Sequence, residues 1–229
     1  MKKLIRHMWH TGFKQDFPRD FISQVFTGKT IARIIFNEQV ASHCLKLSGK
    51  VLDLASGGHS DYKQYLPDDI ELIKTDSFMK DGVAARVNFN ERFPFADNEF
   101  DAVLFFNALY IAENRVATLR EVRRVLKTGG SLYLSMPLLY GEIPEPVDYC
   151  RLTYQGLEKE LKEAGFLEIN IIRYGERFTA ATLLLHPFFL FNVVRLVVYS
   201  LSLLLDGMIP LGFRTRHPAP LGYFCINRK

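Results

Sequence analysis

In this sequence of 229 residues, a few side chains able to do chemistry fall at regular places. Gly57 and Gly58 follow the apolar run Val51-Leu52-Asp53-Leu54, Asp76 follows Ile70 to Ile73, and Asn88 and Phe89 close a weaker run from Ala84. Paired glycines let a backbone approach a ligand closely, and the start of a following helix adds N–H donors. An aspartate at the second place can accept hydrogen bonds from two ribose hydroxyls. An asparagine and a phenylalanine at the third can read an adenine edge and pack beside its ring. Each also has a plainer reading, since glycine pairs make turns and aspartates cap helices. Their order along the chain favours a nucleoside-containing cofactor over unrelated turns and caps.

These places acquire meaning only if the runs before them are strands of one sheet. Phe100 to Phe106 reads as a strong fourth strand. A helix follows with Val116, Leu119, Val122, Val125 and Leu126 on one stripe, stopped by Gly129-Gly130, and then a fifth strand from Ser131 to Met136. Tyr154 to Ala164 is a further helix, Leu167 to Ile172 a sixth strand, and residues 220–227 a last one. Near-continuous apolar strands alternating with helices predict a parallel sheet covered on both faces, with ligands beyond its carboxyl ends. Ahead of it, residues 15–46 read as helical, broken at Gly28.

Hydrophobic residues at 48% and charged residues at 24% exclude a disordered or collagen-like chain. The net charge of +4 is unevenly spread. Residues 1–14 carry Lys2, Lys3, Arg6 and Lys14, and residues 207–229 carry Arg214, Arg216, Arg228 and Lys229, both without an acid, so the body between is net acidic. That pattern argues against a nucleic-acid partner and leaves basic ends suited to an anionic surface. Cys44, Cys150 and Cys225 fit neither a disulfide framework nor a zinc site, so no metal is expected and a reducing compartment is. The charged N-terminus has no apolar h-region behind it; no secretory signal is expected, and the location is cytoplasmic.

The segment Val51-Leu52-Asp53-Leu54-Ala55-Ser56-Gly57-Gly58 resembles the first motif of class I S-adenosylmethionine-dependent methyltransferases. Asn90 to Asp101 is similar to their segment before the fourth strand, and Leu119 to Gly130 to the helix and turn before the fifth. The blocks cover roughly Lys50 to Phe166 in the family's order. The resemblance implies a Rossmann-like, doubly wound α/β fold with a mostly parallel seven-stranded sheet, and S-adenosyl-L-methionine as cofactor. It places Asp53 and Gly57 by the methionine moiety, Asp76 by the ribose, and Asn88 and Phe89 by the adenine, with Ala55, Gly58 and Asn107 completing the cofactor contacts. The expected organisation is an N-terminal helical preface (1–49), a cofactor-binding domain (50–177), an apolar helical insertion (178–213) and a last strand returning to the sheet (214–229). A nicotinamide-dependent dehydrogenase is disfavoured, because the first loop lacks the third glycine of the dinucleotide fingerprint.

A narrower resemblance follows the fifth strand. Pro137-Leu138-Leu139-Tyr140, then Pro146, Asp148, Tyr149, Arg151 and Thr153 before Gly156-Leu157, looks like methyltransferases found among bacterial cell-surface polysaccharide genes. It implies methylation of an oxygen on a small, saccharide or lipid-linked acceptor beneath a proline-rich loop. The methyl group leaves an activated sulfonium, so positioning supplies much of the rate, while a hydroxyl nucleophile wants a base within reach. Asp148 and His59 are the candidate catalytic residues, Tyr140 and Glu142 further bases, and Tyr140 and Arg151 the expected acceptor contacts. A salt bridge to Arg151 is the plain alternative for Asp148, and a helix start for His59. The chain also departs from the pattern. Ala55 and His59 replace glycines, Asn88 replaces an aspartate, Tyr110-Ile111 stand in place of Glu-His, and Ile143 stands in place of a loop histidine. These departures keep a second class open, a degenerate relative that binds cofactor or a partner without turnover.

Between the sixth and last strands lies the apolar stretch from Phe178 to Phe213. Asn192, Arg195, Tyr199, Ser202 and Asp206 would form one polar stripe on an otherwise apolar helix. Leu183 to Leu205 has the length of a bilayer span, but His186, Pro187, Asn192 and Arg195 interrupt it, and a last strand that rejoins the sheet needs the chain on its original side. The remaining readings are core against the sheet, a lid over the acceptor, a homodimer contact, or an interfacial helix in peripheral contact with the inner face of a membrane.

Overall fold

The computed structural model describes residues 17–56, 61–76, 83–142 and 147–229. The helices are α1 (Phe21–Phe26), α2 (Ile31–His43), α3 (Arg115–Val125), α4 (Tyr154–Glu163), α5 (Arg177–Leu185), α6 (Asn192–Met208) and α7 (Leu211–Arg216). The strands are β1 (Lys50–Leu54), β2 (Glu71–Asp76), β3 (Ala85–Arg86), β4 (Phe100–Phe106), β5 (Leu126–Pro137), β6 (Glu168–Tyr174) and β7 (Gly222–Arg228). The chain divides into two units, one of Met1–Glu38 with Tyr174–Leu221, the other of Gln39–Arg173 with Gly222–Lys229.

The strands form one sheet in the order β3-β2-β1-β4-β5-β7-β6. Pairing is parallel from β3 through β5, and β7 lies antiparallel to β5 with Cys225 opposite Leu134. Successive strands step one way from β1 to β3 and the other way from β4 to β5. This reversal opens a crevice beyond the carboxyl ends of β1 and β4, the usual ligand site of an open α/β sheet. Leu52, Leu54, Val103, Phe105, Leu132 and Leu134 are buried, as their place in a doubly covered sheet requires. Helix α3 starts where Asn114 Oδ1 accepts from the Ala117 N–H at 3.0 Å, and buries Leu119, Val122 and Val125. Helix α4 is capped by Thr153 and buries Leu157 and Leu161; Arg115 of α3 pairs with Glu160 of α4 at 2.8 Å.

Two boundaries differ from the sequence pattern. Leu126 continues the helical stripe, yet its backbone is extended (φ −70°, ψ 137°) and it opens β5. The Gly129-Gly130 pair therefore lies inside β5 and does not end the helix. Phe100 pairs with Leu126 but Ala102 with Ser131, so residues 127–130 bulge from the ladder. Glycine is needed there: Gly129 has φ 77°, and a Cβ on Gly130 would sit 3.0 Å from the Asp101 carbonyl oxygen. Strand β3 is shorter than the Ala84–Phe89 run because the chain turns at Asn88, whose Oδ1 accepts from the Asn90 N–H at 3.0 Å.

In the other unit α5 and α6 pack as an antiparallel pair joined by a 3-10 turn at His186–Phe188. The polar stripe lies along α6 and faces inward, with Tyr199, Ser202 and Asp206 buried. The Asp206 carboxylate accepts from the Phe178 N–H at 2.8 Å, the Thr179 N–H at 3.0 Å and the Thr179 hydroxyl at 2.7 Å, so one helix caps the start of its neighbour. The Tyr199 hydroxyl lies 2.6 Å from His186 Nδ1, and burial together with the Arg195 charge holds His186 below the usual histidine range. Val193, Val197, Leu201, Leu204 and Met208, on the opposite side of α6, are exposed. Among the described residues no helix is long and apolar enough to cross a membrane.

Candidate active site

Asp53 stands near the carboxyl end of β1, at the crevice, and is fully buried. Tyr62, on a short 3-10 turn (Asp61–Tyr65), donates its hydroxyl to the carboxylate, 2.8 Å from each oxygen, and packs edge-on against Phe106 at 5.1 Å. Burial pushes the Asp53 carboxyl up to about 6, against the Tyr62 hydrogen bond and the Lys74 charge, which lower it. A carboxylate this costly to ionise gains from any cationic ligand group beside it. The Thr75 hydroxyl donates to the Asp53 carbonyl at 3.1 Å and the Ser56 N–H to the Thr75 carbonyl at 2.9 Å, which ties the ends of β1 and β2 together. Ala55 has φ 67°, a left-handed conformation that glycine adopts without strain; the methyl group costs on the order of 1 kcal/mol.

The other cofactor-side positions can be placed one by one. Asp76 ends β2 and is buried. Asn107 follows β4 with φ 50°, donates its N–H to the Ser135 carbonyl at 2.9 Å and accepts from the Ser135 hydroxyl at 2.9 Å. The sheet thus brings Asp53, Asp76 and Asn107 to one carboxyl edge. Phe89 is half-buried, edge-on to Phe105 at 5.1 Å, with its carbonyl held by the Thr118 hydroxyl at 3.0 Å. Asn88 is exposed and its amide is engaged locally, accepting from Asn90 and donating to Glu91 at 2.7 Å. Gly57, Gly58 and His59 lie outside the described residues, as do Ile143 and Pro146.

The expected acceptor residues meet on the loop after β5. Tyr140, Glu142, Asp148 and Arg151 line one open cleft of about 650 Å³. Asp148 and Arg151 are paired, with both side chains largely buried. The Arg151 guanidinium stacks 4.3 Å from the Tyr110 ring centre, and the Tyr149 N–H donates to the Tyr110 carbonyl at 3.0 Å. Tyr110, a departure from the family pattern, is here the platform under the arginine. Arg151 Nη1 is buried without a hydrogen-bond partner among the described residues, a donor still to be matched. Tyr62 and Tyr110 were not foreseen from the sequence. A 3-10 turn has no apolar period to mark Tyr62, and for Tyr110 the signal was only the substitution itself.

Residues 62–134 match the family model described as a methyltransferase domain, a stretch that holds Asp76, Asn88, Phe89 and Asn107 but neither Asp53 nor Asp148. No curated protein matches the chain. Among solved structures it is similar to an S-adenosylmethionine-dependent methyltransferase from Archaeoglobus fulgidus, with TM-score 0.58 and 13% identity over 92% of this chain and 100% of that one. It is also similar to Haemonchus contortus phosphoethanolamine N-methyltransferase 2 in complex with S-adenosyl-L-methionine, with TM-score 0.54 and 16% identity over 92% of this chain and 58% of that one. A third likeness is to the cyclase SpnF, with TM-score 0.51 and 18% identity over 85% of this chain and 79% of that one. At such identities the likeness is one of fold, and a cyclase among them shows that this fold does not dictate one reaction. The match to a methyltransferase domain over residues 62–134 and the likeness of the whole sheet to solved methyltransferases together give the chain a methyltransferase-type α/β fold.

Proposed function

We propose that the protein transfers a methyl group from S-adenosylmethionine to an oxygen of a small, saccharide or lipid-linked acceptor. The observation that carries this reading is the buried Asp53 carboxylate, raised to about 6, at the crevice where the strand order reverses. It suits the cationic amino-acid end of the cofactor, while Asp76 suits the ribose hydroxyls and Phe89 with Asn88 the adenine side. The bound cofactor supplies a methyl group already activated on a sulfonium. The chain's own part is placement: Arg151, fixed by Asp148 and Tyr110, offers Nη1 to an acceptor oxygen, Tyr140 borders the cleft, and Asp148 takes the acceptor's proton.

Titration calorimetry should show binding of both S-adenosylmethionine and S-adenosylhomocysteine; no heat from either at millimolar concentration removes the cofactor assignment. Labelled methyl is expected in saccharide or lipid fractions of a cell-envelope extract. Asp148→Asn is expected to keep cofactor affinity and slow that transfer roughly 100-fold, whereas an unchanged rate reduces Asp148 to a partner of Arg151. Cofactor binding with no transfer into any fraction would favour the second reading, a protein that binds without turnover. The local engagement of the Asn88 amide is the observation on that side.

A further inference from the structure

We infer that the α5–α6 hairpin is a docking surface for an anionic phospholipid bilayer, with residues 188–191 at its tip entering the hydrocarbon. In an ordinary surface helix the polar stripe faces water. Here α6 is reversed. At about 100° per residue, Asn192, Arg195, Tyr199, Ser202 and Asp206 lie on one side, and Val193, Val197, Leu201, Leu204 and Met208 on the other. The polar side is the buried one.

The tip makes the same point more strongly. Phe188 and Leu190 are each 77% exposed and Phe191 70%, and Phe26 at the end of α1 is exposed as well. Polar groups near this tip are satisfied from within: Arg195 Nε donates to the Phe189 carbonyl at 2.8 Å, and Asn192 Nδ2 donates to the Phe26 carbonyl at 3.1 Å. Hydrocarbon demands such internal satisfaction, whereas water does not.

Charge selects the lipid over another protein. From Phe178 to Leu221 the one carboxylate is Asp206, turned inward onto Thr179, while Arg214 and Arg216 close α7 and Arg216 is exposed. A protein interface of this size would carry about one hydrogen bond per 100–200 Å², and the outer positions of α6 named above offer no polar side chain for any. An apolar face with the exposed Arg216 beyond its end matches acyl chains beneath anionic headgroups. The helix of 17 residues is about 25 Å long and apolar along its whole outer side, so it lies in the interface and does not cross it.

Flotation of the full chain with vesicles tests this, using phosphatidylcholine alone and phosphatidylcholine with phosphatidylglycerol, at low and high salt. The protein is expected to float with the anionic vesicles at low salt. Phe188→Ser/Leu190→Ser/Phe191→Ser is expected to lower partitioning about 100-fold or more, and Arg216→Glu roughly fivefold or more on anionic vesicles only. Both variants should keep their circular dichroism and their S-adenosylmethionine affinity, which separates this proposal from the cofactor assignment. Protein that stays at the bottom with both vesicles overturns the inference. So does a tip variant that floats like the unaltered chain, or self-association at the same concentration without flotation.

Discussion

Replacing Asp53 by asparagine is expected to stabilise the protein and at the same time weaken its hold on S-adenosylmethionine. The buried carboxyl titrates near 6 in the folded chain and near 3.8 when exposed, so the folded state keeps a proton that the unfolded state has released between those values. Stability therefore falls as pH rises through that window, and the full penalty, on the order of 3 kcal/mol, is present above pH 6. An asparagine carries none of it and still accepts from Tyr62. The melting temperature at pH 7.5 should rise by roughly 5 °C or more, and the difference should shrink at pH 4.5. Affinity for the cofactor should fall at least about tenfold, since the charge proposed to meet its cationic end is gone. With the native residue, affinity should also weaken as pH drops through about 6, and with asparagine it should be flat there. Calorimetry and thermal melts on the two proteins at both pH values decide the matter. A variant that melts lower, or binds equally well, refutes the role given to Asp53.

Asp206→Ala should act on the opposite side of the balance and cost about 3 kcal/mol. Asp206 is 2% exposed and its carboxylate serves three donors on the first turn of α5; the Phe178 N–H would lose this acceptor, and the Thr179 N–H and hydroxyl would be left with only the Glu176 side chain and carbonyl. Asparagine is a poor substitute, because its amide N–H would face the Thr179 donors. The loss should be local. Hydrogen exchange across α5 and α6 is expected to speed by roughly 100-fold, while β4 and β5 keep their protection. Uniform acceleration across the chain, or none, would contradict a cap that acts between two helices of one unit.

How much of this was legible before the fold was known depended on whether a residue's role was local. Strand β4 was readable to the residue, because Phe100 to Phe106 is apolar enough to admit no other assignment. Leu126 reads as helical because a leucine one step beyond a helical stripe still fits the stripe; only pairing with Phe100 across the sheet makes it extended. The order of Asp53, Asp76 and Asn88 is readable, since each lies at or just past the carboxyl end of its own strand. The tyrosine that shares the Asp53 charge is not, since Tyr62 meets it through space. The stripe on α6 was visible as a stripe, but periodicity does not say which side turns outward. That was decided by Thr179, Phe26 and Phe189, which supply partners for the polar side. The Asp148–Arg151 pair is legible in the sequence as the alternative to a catalytic base, three residues apart, but the Tyr110 ring beneath it is not.

The place of β7 in the sheet bears on the order in which the molecule can be assembled during synthesis. β5 and β6 are not neighbours; β7 lies between them, and it follows both in the chain. Until residues 222–228 leave the ribosome, β5 is an open edge and β6 has no strand beside it. A nascent chain stalled after α7 would thus hold five strands in register and a sixth unattached. Completion of the sheet, including the antiparallel seam from Ser131–Arg228 to Pro137–Gly222, is a late event that traps everything between β5 and β7 as one excursion.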